Sequence, residues 1–195
     1  MKLKMCLLGL LCLFFEAKSQ TKPTTKFLEV GDKMPDVQIT NIMNWKSKTA
    51  KISDFKGKMI ILDFWNSFCG GCIAGFPKLD SLQRQFKGKL QVFLVNPEND
   101  HETERSMKIV IDRMNSWSAR SFTLPIVYRD KALLENFSFY GVPYAVWIGT
   151  DGTIVAIPDK SELTAENIAK VLAGEKVTLK HRIERTRTIQ RKVTL

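Results

Sequence analysis

Apolar and polar positions along the chain fall into blocks of two periods. Asp36-Val-Gln-Ile-Thr40 alternates like a half-buried strand, Asn44-Trp-Lys-Ser-Lys48 is turn-like, and Ala50-Lys-Ile52 returns as the second arm of a hairpin. Ser53 to Gly57 reads as one capped helical turn closed by glycine. Met59 to Trp65 is an apolar run broken only by Asp63, the pattern of a central strand buried on both faces. From Gly71 to Phe86, the residues Ile73, Phe76, Leu79, Leu82 and Phe86 recur every three or four positions, one face of a helix that Pro77 should kink. Leu90 to Val95 predicts a second strand, His101 to Trp117 a helix, Leu124 to Tyr128 a short strand and Ala132 to Phe139 a short helix. Tyr144 to Ile148 and Thr153 to Ile157 flank the turn signal Gly149-Thr-Asp-Gly152, and Leu163 to Leu172 reads as a last helix capped by Thr164 and ended by Gly174. The order hairpin, βα, βα, βα, ββ, α predicts an α/β domain whose sheet holds parallel pairs and is covered on both faces.

The two ends follow other rules. Lys2 and Lys4 precede an unbroken apolar run from Met5 to Phe15, and Ala17 and Ser19 put small residues before a cut ahead of Gln20. That run falls short of the roughly 20 residues a bilayer span needs. Residues 1–19 therefore predict a cleaved signal peptide and a protein of the periplasm or cell envelope, with an uncleaved anchor or a buried helix as the alternative. Residues 20–26 form a polar leader, 27–174 the folded domain and 175–195 a basic extension. In that extension every even position from Thr178 to Thr194 is polar, while Val177, Leu179, Ile183, Ile189, Val193 and Leu195 hold odd ones. A period of two favours an extended segment: a solvated tail, a contact for an anionic membrane surface, or an edge strand for a partner.

Composition adds little except by exclusion. With 44% hydrophobic and 26% charged residues in 195, the chain can bury a core and is not generally disordered. The net charge of +10 is local: +2 lies in 1–19 and +6 in 176–195, which leaves +2 for everything between. A nearly balanced domain gives no nucleic-acid face.

The chemistry concentrates in Asp63-Phe-Trp-Asn-Ser-Phe-Cys-Gly-Gly-Cys-Ile-Ala-Gly-Phe-Pro77. Cys6 and Cys12 lie in the signal, so the mature chain keeps Cys69 and Cys72, and in an oxidising compartment each has only the other. At a strand-to-helix junction the first sulfur meets unpaired N–H groups, which favour its thiolate below the ordinary thiol pKa of about 8.5. The second, one turn further on, can attack a mixed disulfide. Other uses of the pair are zinc, for which His101 and His181 are too scattered to complete four ligands; a two-thiolate copper site, which no His or Met cluster supports; or two structural cysteines.

This stretch, with Pro77 and the later Gly141-Val-Pro143, resembles the active-site frame of the thioredoxin superfamily, and within it the exported TlpA/ResA-like thiol–disulfide oxidoreductases. The resemblance covers Phe27 to Gly174. It implies a thioredoxin-like fold: a central mixed sheet flanked by helices, an N-terminal β-hairpin and an inserted helix and strand at 101–128. It implies that Cys69 is the nucleophile and Cys72 the resolving thiol. Pro143 would be a cis-proline that leaves the Val142 backbone open to an extended substrate, and Trp65 an aromatic beside the pair, with core packing as its alternative. Asp63 matches the buried acid that takes the resolving thiol's proton. A carboxylate in an apolar strand is costly unless neutral, paired or used, so desolvation should raise its pKa into a general base's range. The alternative is an acid that reaches solvent or a lysine.

Departures from the pattern are Phe68 in place of Trp at the substrate-facing rim, Asp63 where many exported relatives have Asn, and Gly70-Gly71 between the sulfurs. Glu98 lies near where some relatives place an active-site acid, one residue out of register. A peroxidase is disfavoured, because Asn66 stands where the peroxide-reactive site has Thr or Ser. The resemblance implies reduction of a disulfide-bearing protein, re-reduction by an upstream membrane or periplasmic thiol donor, and no metal or organic cofactor. Dithiol oxidation and a redox-inactive binding module are the rival functions.

Overall fold

The computed structural model describes residues 27–99, 101–117 and 120–181. The expected signal peptide and leader, and the last part of the extension, lie outside these residues.

The apolar run becomes β4 (Met59–Phe64), preceded by the short strands β1 (Gln38–Ile39), β2 (Ile42–Met43) and β3 (Ala50–Lys51). The helix after it is split into α1 (Gly70–Ile73) and α2 (Phe76–Gln85). Then come β5 (Leu90–Pro97), α3 (Glu104–Trp117), β6 (Ile126–Asp130), β7 (Tyr144–Ile148), β8 (Ile154–Ala156) and α4 (Ala165–Leu172). Six strands form one sheet in the order β2-β6-β5-β4-β7-β8. β4 pairs parallel with β5 from Met59↔Leu90 to Phe64↔Val95, and antiparallel with β7 from Ile60↔Ile148 to Phe64↔Tyr144. β5 and β6 are parallel, so the sheet is mixed. The expected hairpin is the separate pair β1 and β3, with Ile39 opposite Ala50.

Strand alternation divides the core. Met59 and Ile61 of β4, with Trp65 just beyond it, join a buried cluster that includes Phe76 and Leu79 of α2, Met107 and Val110 of α3, and Ile168 of α4. Ile60, Leu62 and Phe64 face the opposite way, against Ile39, Ile52, Phe55, Leu133 and Phe137. Both faces are covered, but the three long helices all pack on the first. The hairpin and one-turn 3-10 helices at Ile52–Phe55 and Leu134–Asn136 cover the second. Each large side chain removed from water contributes about 1.5–3 kcal/mol, so the fully buried Phe64, Trp65, Phe93 and Trp147 anchor β4 from both sides.

The structure departs from the periodic reading in several places. β2 is a two-residue edge strand against β6, too short to show a period; Asn41 and Asn44 bracket it at φ 54° and 56°, a region asparagine tolerates. The Asn44 side-chain amide donates to the carbonyls of Phe122 and Leu124 at 3.1 and 2.9 Å, which ties β2 to the chain entering β6. The expected helix over 132–139 is only the 3-10 turn Leu134–Asn136. Pro77 does not kink a continuous helix. It sits in the first turn of α2, where its missing N–H costs nothing. At the far end, contacts run past Gly174: the Asp159 N–H donates to the Lys180 carbonyl at 2.8 Å, and His181 bridges Pro158. Residues 175–181 thus lie extended along the chain after β8, with Val177 and Leu179 packed on the first core cluster.

Candidate active site

β4 ends at the protein's edge, and the chain turns through Asn66, Ser67 and Phe68 into α1. The Asn66 carboxamide oxygen accepts the Phe68 N–H at 3.1 Å, and its carbonyl accepts the Cys69 N–H at 3.1 Å. Ser67 donates its N–H to the Glu102 carboxylate at 2.6 Å. Cys69 then caps α1, and its Sγ accepts the Cys72 N–H at 3.2 Å. Because α1 is four residues long and separate from α2, this local N–H, rather than the aligned dipole of a long helix, is what the sulfur meets. Cys69 and Cys72 are joined in a disulfide with Cα atoms 5.2 Å apart. Cys69 is half-buried and Cys72 is 2% exposed, so an incoming disulfide can reach the first sulfur and not the second.

Behind Cys72 lies a cavity of about 110 Å³ that reaches Asp63, Pro143 and Lys160. Asp63 is the residue of β4 that keeps some accessible surface. Burial pushes its carboxyl up from 3.8 to about 7, while the Lys160 charge pulls the other way. Its neighbours across the sheet, Leu94 and Ala145, offer no charge. The Val142–Pro143 peptide is cis, as the resemblance implies, and Pro143 and Cys72 line the same cavity.

The remaining expected residues separate. Val142 is half-buried beside Pro143, and Phe68 is 74% exposed next to Cys69, open to a partner. Tyr140, three residues before Pro143 and 69% exposed, adds an aromatic that the sequence reading did not single out. Trp65 is not at the surface. It is fully buried, edge-on to Phe76 at 5.0 Å, which is the core-packing alternative and leaves no face for a substrate. Glu98 pairs with Arg129 at 3.2 Å on the surface and does not line the cavity.

Two residues of the site were missed. Glu102, 2% exposed, holds the Ser67 N–H and accepts from the Ser106 hydroxyl at 3.2 Å. Lys160, in the 3-10 turn Lys160–Glu162 after β8, donates to the Gly71 carbonyl. Neither has a local signature, since each meets the active-site loop only through the fold. Among the described residues, no group of three or more His, Cys, Asp or Glu is placed to hold a metal.

The family model described as Redoxin matches residues 29–172, which spans the sheet, the helices and the whole site. The chain belongs to the Redoxin family. Among curated relatives, the thiol-disulfide oxidoreductase ResA of Bacillus thuringiensis is 22% identical over 147 residues, 74% of this chain and 78% of that one. Two solved structures share the fold. The thioredoxin domain of a thiol-disulfide oxidoreductase from Bacteroides vulgatus superposes with a TM-score of 0.60 at 23% identity, covering 74% of this chain and 99% of that one. An exposed lipoprotein thioredoxin from Streptococcus pneumoniae gives 0.56 at 22%, covering 72% and 99%. These findings agree with the thioredoxin-superfamily, ResA-like reading and with its mixed-sheet fold. Within this Redoxin frame Cys69 caps α1 at the end of the turn from β4, and Cys72 lies inside α1.

Proposed function

We propose that this protein is an exported thiol–disulfide oxidoreductase that works as a reductase of protein disulfides. Its class is that of its ResA relative and of the paired cysteines. The observation that carries the reading is the asymmetry of the pair. Cys69 is accessible and receives an N–H at its sulfur, and Cys72 is buried against a cavity that holds a carboxyl raised to about 7. Export is supported by the signal-like residues 1–19 and by the likeness to an exposed lipoprotein. Among the described residues, no helix is long and apolar enough to cross a membrane.

The reaction starts from the reduced pair. The Cys69 thiolate attacks one sulfur of a substrate disulfide; the S–S bond breaks, and the departing sulfur leaves with the electron pair and takes a proton from water. Cys72 gives its proton to the Asp63 carboxylate, and its sulfur attacks Cys69 in the mixed disulfide. The second substrate sulfur leaves as thiolate and is protonated in turn. One substrate disulfide becomes two thiols and the enzyme dithiol becomes the Cys69–Cys72 disulfide, a two-electron exchange that an upstream thiol donor must reverse. Pro143 shares a cavity with Cys72, Val142 precedes it, and Phe68 next to Cys69 and Tyr140 three residues before Pro143 are exposed, an arrangement suited to an extended segment of the partner.

Direction follows from what surrounds the sulfurs. Gly70 and Gly71 add no charge between them, which favours a moderately reducing pair. The test is the reduction potential of Cys69–Cys72, with insulin reduction as the activity assay. A value near about −270 mV is expected, and one near about −120 mV makes the protein a dithiol oxidase instead. Absence of any thiol exchange would reduce the fold to a binding module. Cys72→Ser, which stalls the reaction at the mixed disulfide, should retain the physiological substrate on Cys69.

A further inference from the structure

We propose that Lys160 is a positioning residue of the resolving step: its side chain occupies the space left by Gly75, and from there its ammonium faces Asp63 across the cavity behind Cys72. Three observations carry this. Lys160, Asp63, Cys72 and Gly75 line one cavity, and Lys160 is the one cation among the described residues that do. Its ammonium donates to the carbonyl of Gly71, the residue before Cys72. A Cβ built on Gly75 would lie 2.9 Å from both Cε and Nζ of Lys160. Gly75 has an ordinary φ of −85°, so backbone strain does not call for glycine; a side chain there would displace the end of Lys160 and press on the Cys72 carbonyl at 3.2 Å.

The turn that carries Lys160 is itself pinned. The Asp159 side chain accepts the N–H and hydroxyl of Ser161 at 3.0 and 2.7 Å, and its backbone N–H donates to Lys180 at 2.8 Å. A lysine on an anchored turn, with its ammonium held by Gly71, loses little further freedom when it faces a charge.

The other groups around Asp63 do not substitute for it. β5 presents Leu94 and β7 presents Ala145 in register with Asp63; Tyr144 and Asp159 line the cavity as well, one a neutral phenol and the other a like charge. α1 contributes Cys72. Lys160 therefore offsets the desolvation of the Asp63 carboxylate and keeps a usable fraction ionised near neutral pH. That fraction is what can accept the Cys72 proton.

The inference rests on Asp63 as the acceptor, and its test separates the two ideas. In the full-length oxidised protein, the Asp63 carboxyl is titrated by carbon NMR, and the exchange rate is followed against pH in the cycling enzyme. Lys160→Met should raise the Asp63 midpoint by about one unit, a loss of carboxylate that approaches tenfold well below the midpoint and is about fivefold at pH 7, and move the acid limb of the rate profile upward with it. Gly75→Ala keeps the lysine but fills its seat, and should shift the midpoint the same way. The double variant should shift it no further than the larger single change, since both remove one contact. An unmoved midpoint in Lys160→Met overturns the proposal, as do strictly additive shifts. A rate profile in Asp63→Asn that keeps the wild-type acid limb overturns the acceptor reading beneath it, whatever the lysine does.

Discussion

Replacing Asp63 by Asn should stabilise the oxidised protein at neutral pH, by an amount set by the carboxyl's burial. The folded value is raised from 3.8 to about 7, with desolvation as the cause and Lys160 opposing it. Between those two values the folded state holds a proton that the unfolded chain has released. Stability therefore falls as pH rises through this window and levels off above 7. A difference of roughly three units at 1.36 kcal/mol each makes the penalty about 4 kcal/mol once Asp63 is fully ionised. Asn does not titrate and lacks this slope. The assay is urea unfolding of both oxidised proteins from pH 4 to pH 9. The stability of the variant relative to wild type should rise by about 4 kcal/mol across the range, with most of the change complete by about pH 7. Asp130, which burial also raises, to about 6, titrates in both proteins and cancels from the difference. A stability difference that does not change with pH would mean Asp63 is solvated, and the argument for it as a proton acceptor would go with it.

Glu102→Ala removes the acceptor of the Ser67 N–H and should cost about 2 kcal/mol in urea unfolding, whereas Glu102→Gln, which keeps an acceptor oxygen, should cost less than half as much; equal losses would mean that charge rather than the bond matters. Truncation after Gly174 removes the Lys180 bond and the packing of Val177 and Leu179, and should lower stability by about 1–2 kcal/mol relative to truncation after His181, as thermal unfolding of the two shortened chains will show.

What could be read without the structure was whatever depends on near neighbours in the chain. The Met59–Phe64 run, the two apolar runs that become β7 and β8 on either side of the Gly149–Gly152 turn, and the Thr164 cap, whose hydroxyl accepts the Asn167 N–H at 3.1 Å, all declare themselves within a few residues. So does the cysteine pair. β2 did not, because two residues carry no period and the strand exists only through β6. The assignment of helices to faces did not either: an amphipathic stripe states that a helix has a core side, but not which face of the sheet it covers. Trp65 shows the same limit. Its place at the end of a buried strand was legible, whereas its complete enclosure depends on Phe76 and the rest of the α2 face.

Gly75 marks where local reasoning misleads rather than falls short. In the sequence it is a residue that weakens a helix, and the break between α1 and α2 falls at it, which suggests that its purpose is the break. Its φ of −85° argues otherwise, since that backbone conformation is open to any residue. The distinguishing fact is 85 residues downstream, where Lys160 leaves its turn and fills the volume that a side chain at 75 would take. The charge that Gly70 and Gly71 do not supply between the sulfurs thus reaches the site from the far side of the cavity. There its charge opposes the desolvation of Asp63, the group proposed to accept the Cys72 proton. On the proposed reading, the accessible thiol keeps its local N–H environment and the reducing character proposed for it, while one lysine adjusts the proton traffic of the second step.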